Sequence, residues 1–351
     1  MTQKFIPLPL LAKPLNLILK VILLTLCILG VLSSCICKRN NSVNEKNKVN
    51  IKVVRFEKDL FAVNPNNIAN EIPKLKSKYG EFFDLFSYKI IQLGSPENPK
   101  YPAALKTFIT DSYMNFDYNE VMKIFPTVAP LERDLNDAFD RYHQFFPNKK
   151  IPKVFTCISG WNQSVITTDT ILAIALDKYL GRKNDIYKRL TLDYYMCYAM
   201  QKEYILPDCM RDWGYTEFGS KDTVMNVLGN MLYEGKIIYF MKQLLPSLND
   251  SIIFAFSPQQ LKWCKSNSAQ MWTFLIEHKI LFSTEMLTIR KLIYPAPFTN
   301  FFTKESPGRA VVWIGYKIVD EYMKHNKNIS LPKLMQNSNY QEILRESEYK
   351  P

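Results

Sequence analysis

Residues 151–177, IPKVFTCISGWNQSVITTDTILAIALD, are the stretch of the sequence that decides the fold. Within it, three short runs rich in β-branched and other apolar residues are separated by turn-forming residues: Lys153–Ile158, Ser164–Ile166 and Ile171–Leu176. Such runs predict strands. An earlier run, Ile51–Arg55, has the same character. We therefore predict a small antiparallel sheet made from the three runs, with Ile51–Arg55 as a candidate fourth strand.

The chain on both sides of this stretch has helical patterns. Before it, apolar residues at three- and four-residue steps mark an amphipathic helix: Leu131, Leu135, Ala138, Tyr142 and Phe145. After it, the predicted helices are Leu192–Met200, Pro207–Trp213, Asp222–Leu245, Pro258–His278, Thr284–Leu292, Pro307–Lys324 and Tyr340–Ser347. Ser257-Pro258 and Ser306-Pro307 each place a hydroxyl cap before a proline that starts a helix. The predicted fold class is α+β, predominantly helical with a small antiparallel sheet.

The N-terminal residues have the pattern of an export signal. Val21–Cys35, VILLTLCILGVLSSC, begins with twelve uncharged residues, and only basic charges precede it. The apolar run is shorter than the ~20 residues that a membrane-spanning helix needs. It ends in Leu32-Ser33-Ser34-Cys35, which resembles a bacterial lipobox, in which the cysteine thiol is acylated. We predict a lipoprotein signal peptide at 1–34 with lipidation at Cys35; an uncleaved anchor helix is the alternative.

A polar segment without periodicity follows the lipobox, so residues 35–50 are predicted to be a flexible tether. No repeat or strong boundary interrupts the rest, and residues 51–351 are predicted to be a single domain. The alternative is a division near Lys149 into a helical half and a sheet-plus-helix half. No acidic residue occurs between Cys35 and Asn41, which favours a body that faces the periplasm. The lipid is predicted to lie in the outer membrane.

The net charge bears on the expected partners, and the cysteine spacing bears on the expected disulfides. The chain has 45 Lys and Arg against 33 Asp and Glu, a formal net charge of +12. This charge is expected to form a solvated, lysine-rich surface; the alternative is an anionic partner, which for an exported chain would be lipid headgroups or envelope polymers rather than nucleic acid. Besides Cys27 and Cys35, five cysteines remain without any close pair, so buried free thiols are predicted rather than a disulfide framework: Cys37, Cys157, Cys197, Cys209 and Cys264.

No catalytic motif can be recognised in the sequence. The three histidines, His143, His278 and His325, lie far apart, so a His-Glu-x-x-His zinc helix is absent. No Gly-x-Ser-x-Gly elbow and no glycine-rich phosphate loop occurs. Acidic residues in helical segments, Asp208 and Glu234 among them, are expected to be surface charges. We predict no catalytic residue, no metal site and no cofactor.

Several segments together resemble the gliding motility lipoprotein GldB family of the Bacteroidetes: VRFEKDLF at 54–61, LDKYLG at 176–181, EYILPD at 203–208, MLYEGKIIYF at 231–240, KESPGR at 304–309 and VWIGYKIV at 312–319. The resemblance extends over nearly all of the chain after the lipobox. It implies an envelope lipoprotein that the gliding apparatus needs, with possible ties to the associated type IX secretion system. Because no active site is legible, we predict that the protein acts by binding a protein partner.

A more distant resemblance is to zincin-type metallopeptidases, in which a Glu-Gly helix supplies the third zinc ligand. Glu234-Gly235 is similar to that helix, but Pro207–Trp213, which would carry the two histidines, reads PDCMRDW. The resemblance implies a zincin-like fold without zinc, in which Asp208 and Glu234 form a vestigial site. A peptidase-like or cell-wall hydrolase is the alternative function.

Arg309 is a candidate contact for an anion or a partner, because Ser306-Pro307 predicts a helix N-terminus there. The alternative is plain helix capping, with Arg309 paired to Glu305.

Overall fold

The computed structural model describes residues 48–219 and 225–351. The predicted signal peptide, the lipidation site Cys35 and nearly all of the predicted tether lie outside the described residues. Val49–Pro351 form one compact unit. None of the helices in the described ranges is long and apolar enough to span a bilayer.

The described body is predominantly helical, as predicted. The helices that precede the central sheet residues are α1 (Phe56–Phe61), α2 (Ile68–Tyr79), α3 (Glu81–Leu85, extended by a π-helical turn, Phe86–Ile90), α4 (Tyr101–Thr110), α5 (Ser112–Ile124) and α6 (Ala129–Phe145). Those that follow are α7 (Asp185–Arg189), α8 (Tyr194–Cys197), α9 (Ile205–Glu217), α10 (Val227–Leu244), α11 (Asp250–Phe254), α12 (Pro258–Ser266), α13 (Ser268–Glu277), α14 (Met286–Ile293), α15 (Val311–His325), α16 (Leu331–Gln336) and α17 (Tyr340–Ser347).

The sheet has four strands, and the predicted antiparallel arrangement is wrong. The strands are β1 (Val53–Arg55), β2 (Lys153–Cys157), β3 (Val165–Thr167) and β4 (Ile171–Ala175), in the order β1-β2-β4-β3. β1, β2 and β4 run parallel, and β3 alone pairs antiparallel with β4. Helices α1–α6 connect β1 to β2, which gives the long crossover that a parallel pair requires. The candidate fourth strand is confirmed as β1.

The two faces of the sheet pack against different helices. Along β4, Ile171, Ala173 and Ala175 belong to one apolar cluster, whereas Leu172 and Ile174 belong to the other. Helices α1–α4 cover the first face, and α5, α6, α9, α10 and α15 contribute to the core on the second. A strand buried on both faces reads as a continuous apolar run, which is typical of parallel sheets.

Helix α6 holds the residues that lead into β1. The backbone N–H groups of Val49, Ile51 and Val53 donate to three α6 side chains: Asp140 Oδ1 at 2.6 Å, Asn136 Oδ1 at 2.6 Å and Glu132 Oε2 at 3.0 Å. Four residues of an α-helix advance about 6 Å, and two residues of a strand advance about 6.6 Å. Side-chain acceptors at every fourth residue of α6 can therefore match the backbone N–H of every second residue of the extended segment. The outer edge of β1 is thereby satisfied by side chains.

Helices α10 and α15 pack backbone to backbone through two glycines. A Cβ on Gly235 would lie 2.4 Å from the carbonyl of Gly315, and one on Gly315 would lie 2.0 Å from the carbonyl oxygen of Met231. No side chain fits at either position. This close approach explains why the sequence has glycine in the interior of both helices.

Several predicted helices differ from the structure; Leu192–Met200, for example, is only the short helix α8. The predicted Pro258–His278 helix is two helices, α12 and α13, which meet at Asn267. Ser257 caps α12, as predicted, and forms a capping box with Gln260. The predicted start at Ser306-Pro307 is wrong, because α15 begins at Val311. Four predicted thiols are buried and free: Cys157, Cys197, Cys209 and Cys264.

Candidate functional site

The fold brings the sequence-predicted residues Asp208, Glu234 and Arg309 into one region. Asp208 lies in the first turn of α9, Glu234 lies inside α10, and Arg309 lies in the loop before α15. Arg309 Nη2 donates to Glu234 Oε2 at 2.6 Å. The predicted pairing of Arg309 with Glu305 is therefore wrong, since the guanidinium turns inward to α10.

The two carboxylate oxygens of Asp208 are held by two different side chains. Its Oδ1 accepts a hydrogen bond from Arg211 Nη1 at 2.8 Å, and its Oδ2 accepts one from the Tyr179 hydroxyl at 2.9 Å. Arg211 also donates through Nη2 to the carbonyl of Ile253 at 3.0 Å. Burial raises the pKa of the Asp208 carboxyl, while Arg211, Tyr179 and Arg309 act against that shift. The prediction of a solvated surface charge is wrong for Asp208.

Glu234 is also fully engaged. The hydroxyl of Tyr215 lies 2.9 Å from both of its carboxylate oxygens, and Arg309 holds Oε2. Only 13% of the Glu234 side chain and 17% of the Arg309 side chain are exposed, so the pair is sheltered from solvent. Burial and the adjacent Glu234 raise the pKa of Tyr215, which therefore stays a hydrogen-bond donor.

The loop that carries Arg309 is fixed by an internal network. The Thr299 hydroxyl donates to the Pro307 carbonyl at 2.7 Å and accepts from the Ala310 amide at 2.9 Å. The Ser306 hydroxyl accepts from the Thr299 amide at 3.1 Å, so it ties the loop together instead of capping α15. These contacts hold Arg309 in a left-handed conformation, at a φ of 57°.

Glycine is required directly before Arg309. A Cβ on Gly308 would lie 2.1 Å from the carbonyl oxygen of Ala296, so the two backbone segments touch. Left-handed non-glycine residues persist only where the surroundings enforce them, and they cluster at functional sites. The loop therefore places the Arg309 guanidinium in one defined position.

Asp208, Arg211 and Arg309 border a cleft of about 920 Å³, referred to below as the cleft. These three side chains are largely buried and are called its floor. Five aromatic residues of the lining are called its aromatic wall: Tyr194, Tyr195, Tyr198, Phe254 and Phe256. The lining also includes Pro295–Pro297 and Gly308, called its proline wall. Tyr194 is 71% exposed, an unusual degree for so large a ring. A concave aromatic surface with a few convergent charged groups is the typical form of a binding site.

Sequence reasoning missed Arg211, Tyr179 and Tyr215. Arg211 could have been found, because it stands three residues after Asp208 on a predicted helix and such pairs share a face. The two tyrosines had no local signal, because each reaches its carboxylate from another element. Within residues 48–219 and 225–351, no group of three or more His, Cys, Asp or Glu side chains is placed to hold a metal ion.

A comparison with family models decides the identity of the chain. The sequence model described as gliding motility protein GldB matches residues 37–351, which is most of the chain. The chain belongs to the GldB family. Membership associates the protein with gliding motility and, because this is a lipoprotein family, with the cell envelope. No curated protein and no solved structure matched the chain, so the zincin-like fold remains a prediction.

Several of the GldB-like segments meet at the site. Glu234 in MLYEGKIIYF pairs with Arg309 in KESPGR, and the next residue, Gly235, provides the contact with Gly315 in VWIGYKIV. Lys236 is buried and donates to the carbonyls of Met335 and Asn337. Several of the segments that carry the resemblance therefore meet in one region of the structure, whereas VRFEKDLF at 54–61 lies apart from it in β1 and α1.

Proposed function

We propose that this GldB-family protein is lipid-anchored through Cys35 and supports gliding motility by holding a protein partner in the cleft. The observation that carries the proposal is the cleft itself. Its aromatic wall includes the exposed ring of Tyr194, and its floor has charges that are already paired. Exposed aromatic residues beside a preorganised arginine are typical of binding surfaces.

The pairing at the floor favours binding over hydrolysis. A carboxylate that an arginine already holds is poorly placed to act as a general base or to bind zinc. Arg211 holds Asp208 and Arg309 holds Glu234, and Tyr179 and Tyr215 donate to the same two carboxylates. A hydrolase of zincin ancestry is the competing proposal. Stoichiometric zinc in the purified protein, with peptide turnover abolished by Glu234→Ala, would replace the binding proposal with that one.

The anchor and the body fit a subunit that works close to a membrane. The predicted tether, residues 35–50, would reach about 50 Å when extended, at ~3.3 Å per residue. The body begins where α6 binds Val49, Ile51 and Val53. We place the lipid in the outer membrane with the body facing the periplasm. A role in the associated type IX secretion system is part of the same proposal.

In-cell photocrosslinking tests the proposal. A benzophenone amino acid is introduced at Tyr194 in the cleft and, as the matched control, at Tyr88, which is 49% exposed outside the cleft. Irradiation should join the protein to one defined envelope protein from position 194 and not from position 88. Absence of any protein adduct at position 194, in cells where the variant supports gliding, would contradict partner binding at the cleft.

A further inference from the structure

We propose that the cleft binds the free C-terminal carboxylate of an extended peptide chain, with the Arg309 guanidinium receiving it. The inference rests on the proposed partner-binding function and names the chemical group that the cleft recognises. It is carried by the balance of donors and acceptors at the floor, by the fixed position of Arg309 and by the shape of the walls.

At the floor of the cleft, arginine N–H groups remain without an acceptor among the described residues, whereas the carboxylate oxygens nearby already accept hydrogen bonds. Each oxygen of Asp208 and of Glu234 already accepts a hydrogen bond. Arg309, by contrast, donates to the described residues through Nη2 alone; its Nε is buried, so Nη1 is the group left to meet a ligand in the cleft. An arginine that lines a cleft and has one unpaired Nη group can bind a second carboxylate with a charge-assisted bond.

Arg309 is preorganised for this role. Its left-handed backbone, the contact of Gly308 with Ala296 and the ion pair with Glu234 fix the guanidinium before any ligand arrives. Ala255, which also lines the cleft, is left-handed as well, at a φ of 54°. Because little side-chain freedom is left to lose on binding, the entropic penalty is small.

The walls select a chain end rather than an internal acidic residue. Aromatic-lined grooves bind extended peptide segments. The Arg309 side chain is only 17% exposed, whereas Tyr194 is 71% exposed, so the arginine lies deeper than the aromatic rim. A terminal carboxylate can reach such a depth end-on, while an internal Asp or Glu would have to bring backbone in on both sides. The volume of the cleft suits a few residues and is too small for a folded domain.

Fluorescence anisotropy with defined peptide pools tests the inference. The full-length protein in detergent is titrated into fluorescein-labelled random pentapeptides made in three forms: with a free C-terminal carboxylate, with a C-terminal amide, and as the amide with a central Glu. The free-acid pool should bind at least tenfold more tightly than either amide pool. Arg309→Lys and Tyr194→Ala should each weaken that binding about tenfold.

Two exposed positions outside the cleft provide the controls. Tyr88→Ala and Arg345→Met should leave the affinity unchanged, and Tyr194→Ala keeps the test valid if Arg309→Lys disturbs folding, because the Tyr194 ring packs little. Equal binding of the free-acid and amide pools, or displacement of the free-acid pool by an N-acetylglucosamine oligomer, would overturn the inference. If the pools do not bind but a protein still crosslinks at position 194, the inference fails while partner binding stands.

Discussion

The ion pair between Glu234 and Arg309 joins an interior helix to the loop that lines the cleft. Arg309→Met would leave the Glu234 carboxylate sheltered, with Tyr215 as its remaining donor. We expect the free energy of unfolding to fall by about 2 kcal/mol, less than for a fully buried pair because both side chains keep some exposure. Urea unfolding of Glu234→Gln, Arg309→Met and the double variant should give a coupling energy of about 1 kcal/mol or more.

The exposed pair Arg345–Glu346 is the control for this cycle, because surface pairs contribute little. Arg345→Met with Glu346→Gln should show coupling near zero. If the Glu234–Arg309 cycle gives an equally small value, the pair does not hold the loop.

Asp117 in α5 is a buried acid without a hydrogen-bond partner on either carboxylate oxygen. Burial, with further contributions from Asp177, Glu120 and Asp111, raises its pKa to about 8. An unfolded aspartate loses its proton near pH 4, so between about pH 4 and 8 the unfolded state holds fewer protons than the folded one. The free energy of unfolding should therefore fall as the pH rises through this window and level off above pH 8.

Asp117→Asn should remove this dependence of the free energy of unfolding on pH. Relative to the wild type, the variant should gain stability with rising pH by up to about 1.4 kcal/mol per pH unit between pH 5 and 8. Denaturant unfolding across that range measures it. Asp185→Asn is the control, because Lys188 lowers the pKa of Asp185 and its titration lies below the window. Parallel curves for the wild type and Asp117→Asn would show that Asp117 is not a protonated acid.

The sequence singled out residues that the structure brings together, but it did not give their pairing. Asp208, Glu234 and Arg309 were singled out from motifs, and the structure brings them together. Their pairing could not be read from the sequence, because Glu234 and Arg309 are 75 positions apart. A local rule favoured Glu305 for Arg309, and the tertiary contact with α10 overrides it.

At the scale of elements, the three α6 acceptors hold the start of the body. Asn136 accepts from the Ile51 amide and donates to the Ile51 carbonyl at 3.0 Å. Asn136→Ala leaves both backbone groups without these partners, at a cost of about 1–3 kcal/mol. We expect faster hydrogen exchange in residues 48–54, measured by mass spectrometry. Asp137→Ala, one residue further along α6 on an exposed position, should leave exchange unchanged, and equal protection in both variants would contradict the role of Asn136.

Strand positions could be predicted from the sequence, but strand direction could not. Runs of β-branched residues located β2, β3 and β4 to within a residue or so at each end. These runs were predicted to form an antiparallel sheet. In the structure β4 instead inserts between β2 and β3, because its all-apolar run, Ile171–Ala175, is covered by helices on both faces. That continuous run was the available signal for a parallel strand.

At the scale of the whole molecule, the anchor decides where the body is found. The thiol of Cys35 is the acceptor that follows the lipobox residues Leu32-Ser33-Ser34. Cys35→Ala should abolish incorporation of a fatty-acid probe and move the protein from the membrane to the soluble fraction, or leave it with its signal uncut. Cys37→Ala is the matched control and should label normally. Persistent labelling of Cys35→Ala would exclude Cys35 as the lipidation site.

The whole-molecule claim is that this GldB-family protein supports gliding by holding a partner in the cleft. The most direct measurement is the colony spreading rate of a deletion strain complemented with the wild type, Tyr194→Ala or Tyr88→Ala. Both rings are exposed, so neither substitution should alter folding or protein amount. We predict that Tyr88→Ala restores spreading and Tyr194→Ala does not. Full spreading with Tyr194→Ala at normal protein levels would contradict the account.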